Sequence, residues 1–281
     1  FSHANDRHRN TVNTMPTLSQ RLAVFYMHLS ALRLKKISVG IITVISAVFA
    51  TSAYADFQVE PQPAPPTDLA LMPYNLSYAA TYNGMDIDAS RQLKLASGQY
   101  TLSTTAKNML SNITEHAEFR ISNQGLIVDL NYQYKRSILG MKKTEKLTYN
   151  RDEGIANYDS KKKQRQVVLK DGYLNRLTYQ LQLQRDLING VSPLHYQVIS
   201  RGRLKSYNFE IVGEETLDTP LGKIHTTKVK RIRKDDDRET LLWLAPQWNY
   251  LLVQLWQREK GGEDYKIALQ QGTLNGETLS H

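Results

Sequence analysis

The acids, histidines and aromatics are the residues from which a site could be built. Asp86-x-Asp88 puts two carboxylates on one face of a strand, Glu214-Glu215 adds a second pair, and Asp235–Asp237 a third group. Paired carboxylates suit a glycoside hydrolase only when they face each other across a groove at roughly 5 to 9 Å. Three acids between Lys234 and Arg238 fit a solvated hairpin tip better. His116, His195, His225 and His281 form no H-x-H or H-x-x-x-H pair, so no metal site is expected. No G-x-S-x-G elbow, Walker sequence or dinucleotide fingerprint is present, and no catalytic residue or cofactor is assigned.

The aromatic residues point elsewhere. Fourteen of the 16 tyrosines follow residue 55, mostly in strand-like stretches. Tyrosine joins apolar area to a hydroxyl that needs a partner, which suits half-buried surfaces and the mouths of cavities. Tyr78, Tyr82, Tyr132, Tyr134, Trp243 and Trp256 are therefore the candidate ligand-binding side chains, for an amphipathic or lipid-like molecule. Cross-strand packing explains the same residues without a ligand. Ser160–Arg165 and Lys228–Arg233 are basic stretches suited to anionic lipid or polysaccharide.

Strands must position these groups. Tyr74, Leu76, Tyr78, Ala80 and Tyr82 alternate with polar or small residues, and Asn83-Gly84 then supplies a type I′ hairpin turn into Met85–Ala96. Strands follow over Gln99–Ala106, Ile113–Ser122, Leu126–Ser137, Lys142–Asn150 and Ile155–Asp159. A helix is expected from Tyr173 to Ile188, capped by Asp171 and stopped at Asn189-Gly190, although Tyr179 and Leu183 fit its apolar stripe poorly. Further strands cover Leu194–Ser200, Leu204–Val212, Lys223–Arg233, Arg238–Leu244, Leu251–Glu259 and Asp264–Gln270. Thr219-Pro-Leu-Gly222 reads as a type II turn with its glycine one place late. The expected fold is mainly β, a large antiparallel barrel-like or curved-sheet domain of about a dozen strands with one covering helix.

The start of the chain carries a different message. Arg33, Lys35 and Lys36 precede the apolar run Ile37–Ala50, and Ala53-Tyr54-Ala55 forms a small-x-small cleavage site before Asp56. The run of about 14 residues is shorter than the ~20 needed to span a bilayer, so a cleaved export signal is expected and not a membrane span. No cysteine follows it for lipid attachment. The resulting division is an upstream extension over 1–26, a signal peptide over 27–55, a proline-rich linker over 56–73, one β domain over 74–271 and a tail over 272–281. Six basic residues against Asp6 alone give residues 1–55 more than half of the net charge of +9. A nucleic-acid partner is therefore not implied, and export disfavours one.

The mature region resembles the bacterial exported domain-of-unknown-function family 3108. The likeness rests on Tyr74–Tyr78 through Asn83-Gly84-Met85, Leu177–Leu183, Gly213–Gly222 and Arg238–Pro246, and spans about Leu71 to Gln270. Its best marker is Thr-Pro-Leu-Gly followed some twenty residues later by Trp-Leu-Ala-Pro. The resemblance implies a mostly β envelope protein located in the periplasm of Gram-negative bacteria, with no activity and no catalytic residue to carry over. An amphipathic envelope component, or an envelope protein met through a sheet edge, is the expected partner.

Overall fold

A computed structural model describes residues 71–82, 85–233, 238–259, 261–262 and 264–280. The leader with Ala53 and Ala55, most of the proline-rich stretch, the Asn83-Gly84 turn, the Tyr82 side chain and Asp235–Asp237 lie outside the described residues.

Sixteen strands and one helix are present among those residues. The first run comprises β1 (Tyr74–Tyr82), β2 (Met85–Ala96), β3 (Gln99–Lys107), β4 (Ser111–Ile121), β5 (Ile127–Ile138), β6 (Met141–Asn150), β7 (Ile155–Ser160) and β8 (Lys163–Val168). A short β9 (Tyr173–Leu174) and helix α1 (Thr178–Ile188) lead to β10 (Leu194–Ser200), β11 (Arg203–Thr219) and β12 (Gly222–Ile232). Then come β13 (Arg238–Ala245), a 3₁₀ turn at Pro246–Trp248, β14 (Leu251–Glu259), β15 (Asp264–Leu274) and β16 (Glu277–Thr278).

The strands form one sheet in the order β8 back to β1, then β15 back to β9, with β16 beside β15. All pairs are antiparallel except β9 with β10. Period-two alternation makes this possible: Leu76, Leu93, Leu102, Ala117 and Leu147 fall on the inner face of their strands and are buried there. The two ends of the sheet meet without a ladder. Arg165 donates to the Arg201 carbonyl across the gap (3.2 Å). Gly202 sits so close that an added Cβ would lie 2.8 Å from that of Arg165. The sheet is curved and barrel-like but not closed.

Because neighbouring strands alternate in direction, the β3–β4, β5–β6 and β7–β8 turns share one rim, and the β2–β3, β4–β5 and β13–β14 turns share the other. Helix α1 lies inside the curve, toward the second rim. Arg185 donates to the Gly125 carbonyl of the β4–β5 turn (2.5 Å), and Gln184 to the Tyr250 carbonyl of the β13–β14 connection (3.0 Å). Sheet surrounds the helix, so its buried face is wider than a single stripe, and Tyr179 and Leu183 are both buried. Tyr179 packs edge-on against Tyr207 (5.1 Å) and stacks with Phe209 (6.0 Å). No helix among the described residues is long and apolar enough to cross a membrane.

Four sequence expectations need correction. The helix begins at Thr178, not Tyr173, because residues 173–174 pair with β10 instead. Asp171 is exposed and does not cap it; Leu177 holds the N-cap position without a side-chain cap, and Asn175 Oδ1 just before it accepts from the backbone N–H groups of Leu177 (2.8 Å) and Thr178 (3.1 Å). The 219–222 turn is not type II, since Leu221 has no positive φ; Gly222 takes that role at +97°, which explains its late position. Residues 272–281 are not simply a tail: β15 continues to Leu274, β16 folds back, and Leu279 is buried in the core.

Candidate functional site

The register of β2 through β7 brings polar residues into one inner row. Arg91 pairs with Thr104, Thr104 with Glu115, Glu115 with Tyr134, Tyr134 with Glu145, and Glu145 with Ser160. The adjacent row toward the second rim is apolar, with Leu93, Leu102, Ala117, Tyr132 and Leu147. A polar belt thus crosses the interior of a sheet otherwise packed with Leu and Tyr.

A cavity of about 120 Å³ opens beside this belt, between α1 and the β1–β4 and β13–β15 walls. Arg91, Glu115, Gln257 and Tyr265 form its polar part, and Leu242, Leu252, Leu255 and Ile267 its apolar part. A smaller space of about 30 Å³ shares Arg91, Tyr78 and Tyr179. The larger space is smaller than the roughly 150 Å³ of a cavity that holds benzene, so it takes a short alkyl segment or part of a ring.

Arg91 differs in kind from the other belt residues. Its Nε donates to the Tyr74 hydroxyl (2.9 Å) and its Nη1 to Gln180 Oε1 (2.8 Å), both neutral acceptors. Glu115, by contrast, accepts from the Tyr132 hydroxyl (2.5 Å) and from Arg176 Nη2 (3.5 Å). Arg176 also lies over the Tyr134 ring, 5.4 Å from its centroid. Glu145 is held by Lys143 at 2.5 Å, with Arg201 at 4.0 Å. Several cations gather here: burial first, then Arg201, Arg231 and Arg176, bring the pKa of the Lys205 ammonium down to about 8. At the helix start, Asp129 Oδ2 accepts from the Asn175 N–H (2.7 Å) and the Thr178 hydroxyl (2.9 Å). Burial nevertheless pushes the Asp129 carboxyl up to about 7, the hydrogen bonds opposing it.

The residues chosen from sequence divide between this interior and other places. Tyr78 lines the cavity, its hydroxyl donating to the Leu252 carbonyl (3.0 Å). Tyr132 and Tyr134 are buried in the interior, the former in the apolar row and the latter in the belt. The Tyr82 backbone pairs with Tyr265 and Met85 at the end of β1. Trp243 and Trp256 do not line the cavity. Their sequence neighbours Leu242 and Leu255 do, and alternation turns the tryptophans to the outer face. There the Trp243 indole N–H donates to Glu215 (2.9 Å) beneath the Lys228 ammonium (4.9 Å), and Trp256 lies under Arg258 (4.9 Å). Asp86 and Asp88 are exposed, and no group of three or more metal-ligating side chains occurs among the described residues.

Sequence reasoning missed Arg91, Glu115, Asp129, Glu145 and Arg176. For the strand residues a signal existed. Arg91 shares its alternation with Leu93, and Glu115 shares its own with Ile113 and Ala117, so each is a charge on the apolar side of its strand.

The family model for a protein of unknown function, DUF3108, matches residues 77–270. The chain belongs to this family. No curated protein matches it. Among solved structures, the β-barrel-like DUF1849 protein of Brucella abortus superposes with a TM-score of 0.51 at 11% identity, covering 73% of this chain and 98% of that one. The hypothetical lipoprotein YmcC of Escherichia coli gives a TM-score of 0.27 at 10% identity, over 70% and 83% of the two chains. The Brucella likeness is one of fold, and the DUF3108 family brings no activity with it.

Proposed function

We propose that this DUF3108 protein is an exported, non-catalytic binding protein that takes the anionic end of an amphipathic envelope component into its concavity. The carrying observation is Arg91, a cation on the wall of the cavity whose side-chain hydrogen bonds go to the neutral acceptors Tyr74 and Gln180. Removing a charge from water is costly unless a counter-charge is supplied, and a bound anion would supply one. The apolar wall of Leu242, Leu252, Leu255 and Ile267 would take a short alkyl or ring portion. Export to the periplasm rests on the leader ending at Ala55, and N-terminal sequencing of the mature protein should begin at Asp56.

The test is organic extraction of protein purified from its native envelope, followed by mass spectrometry. An anionic amphiphile in stoichiometric amount is expected. Repeated extracts free of any such molecule would count against the reading.

One observation favours a second reading, in which the protein acts as an assembly factor by pairing a sheet edge with another envelope protein. Strand β10 pairs only with residues 203–209 of β11, so β11 from Glu210 to Thr219 has a partner on one side alone. Ile211 and Val212 are exposed on that stretch. An open edge of this kind can accept a further strand. Crosslinking in cells through position 211 would trap a partner on this reading and would give only monomer on the first.

A further inference from the structure

The first rim carries a second unusual surface, at the tips of the same hairpins that carry the belt. The β3–β4 and β5–β6 tips touch, the Leu139 N–H donating to the Leu110 carbonyl (2.9 Å). Met109 is fully exposed there, with Met141 56%, Leu139 52% and Leu110 38% exposed. Asn108 Oδ1 accepts from the backbone N–H groups of Leu110 and Ser111 and from the Ser111 hydroxyl, so the turn presenting Met109 is held from within. Isolated exposed apolar residues are ordinary, but four large ones on two joined tips form a patch.

The charges around this patch have one prevailing sign. Lys107, Lys135 and Lys142 are exposed on the strands behind the tips. The β7–β8 tip, set back on the same rim, adds exposed Lys161, Lys162 and Lys163. Two of the nearby acids are turned inward, and the exposed ones, Asp86, Asp88 and Asp159, are outnumbered by these six lysines. Glu115 and Glu145 are buried against Arg176 and Lys143, Asp88 stands opposite Lys107, and Asp159 opposite Lys146. Apolar tips backed by lysines match a bilayer interface with anionic lipid, where side chains such as Met and Leu enter the acyl boundary and lysines stay at the headgroups.

We propose that the β3–β4 and β5–β6 tips dock this protein on the surface of an anionic membrane, with Met109, Leu139 and Met141 inserting and Lys142 and Lys161–Lys163 meeting the headgroups. Docking in this way turns the first rim, and with it the cavity side of the concavity, toward the lipid. The inference uses none of the residues that would hold an interior ligand, so either can fail alone.

The chain contains no cysteine, which makes a site-specific test simple. Met109→Cys on the first rim and Leu126→Cys on the second are each labelled with an environment-sensitive nitrobenzoxadiazole dye in the full chain. Labelled protein is mixed with vesicles of phosphatidylcholine alone, or with about one-third phosphatidylglycerol. The dye at 109 should brighten and shift to the blue with anionic vesicles only, while the dye at 126 stays unchanged. Replacing Lys161, Lys162 and Lys163 by Gln should weaken partitioning on the order of a hundredfold. No response at 109, or an equal response at 126, would overturn the proposal. So would a response at 109 that grows with protein concentration in the absence of vesicles, which would indicate self-association.

Discussion

Selected cations on the two faces of the sheet are balanced in different ways. Outside, Lys228 covers Trp243 and is paired with Glu215 at 3.0 Å, while Arg258 covers Trp256 and is paired with Asp264 at 3.0 Å. Each outer cation has its own carboxylate and water beside it, so little is gained by adding a ligand. Inside, Arg91 is bound by a phenol and an amide. Its side chain is half-buried and its charge is balanced by dipoles alone, so a carboxylate, sulfate or phosphate group would interact more strongly there than beside the paired outer cations. The rings alone suggested that both faces could bind. Charge balance separates them.

Substitutions sharpen this contrast, beginning with the largest. Glu115→Ala leaves Arg176 buried without its carboxylate, and a loss of about 3 to 5 kcal/mol in unfolding free energy is expected in urea denaturation. If the loss is under about 1 kcal/mol, the belt is wetter than described.

Asp129 gives a pH signature. Its folded-state value of about 7 stands above the ordinary 3.8, so the folded protein holds a proton that the unfolded chain has released between those limits. The stability it contributes is full below about pH 4 and is lost as the pH rises toward about 7. Asp129→Asn imitates the protonated form and can still accept from Asn175 and Thr178. Its stability relative to the parent should rise between pH 4 and pH 8, measured by thermal melting; parallel curves would show that Asp129 is not held protonated.

The smallest effect belongs outside. Lys228→Gln removes a cation over Trp243 and a surface ion pair, for a loss below about 1 kcal/mol. Binding of an anionic amphiphile should not change. A marked fall in binding would move the site to the outer face.

The fold was largely legible because alternation is a local property. The first hairpins, from Tyr74 to Ile121, follow their apolar residues closely. Three further strands escaped for identifiable reasons. Strand β8 has few apolar residues, so its sequence reads as a basic stretch, although Lys163–Val168 pairs with β7. Strand β9 is two residues long and depends on β10 across the chain. Strand β16 follows Asn275-Gly276, both at positive φ, a hairpin signal that was present and overlooked.

The candidate site was much less legible. Clusters of like residues such as Asp86-x-Asp88 draw attention, yet both aspartates are solvent-exposed. The interior charges stand singly, each in a different strand, and only the register unites Arg91, Thr104, Glu115, Tyr134 and Glu145 into a row. Arg176 is harder still, because it reaches Glu115 from the segment preceding α1. A charge on the apolar side of a strand is the local sign that would have found the strand members. Tyr78 lines the cavity, whereas Trp243 and Trp256 share its aromatic type but not its face.

The most direct measurement compares two probes of equal chain length, octyl sulfate and octanol, by calorimetric titration of the parent protein and of Arg91→Met. The account predicts that the parent binds the sulfate at least about tenfold more tightly than the alcohol, as a charge-assisted hydrogen bond would give. The substitution should bring the two to the same weak level while the melting temperature changes little. Equal binding of both probes by the parent, or a sulfate preference that survives in Arg91→Met, would contradict it.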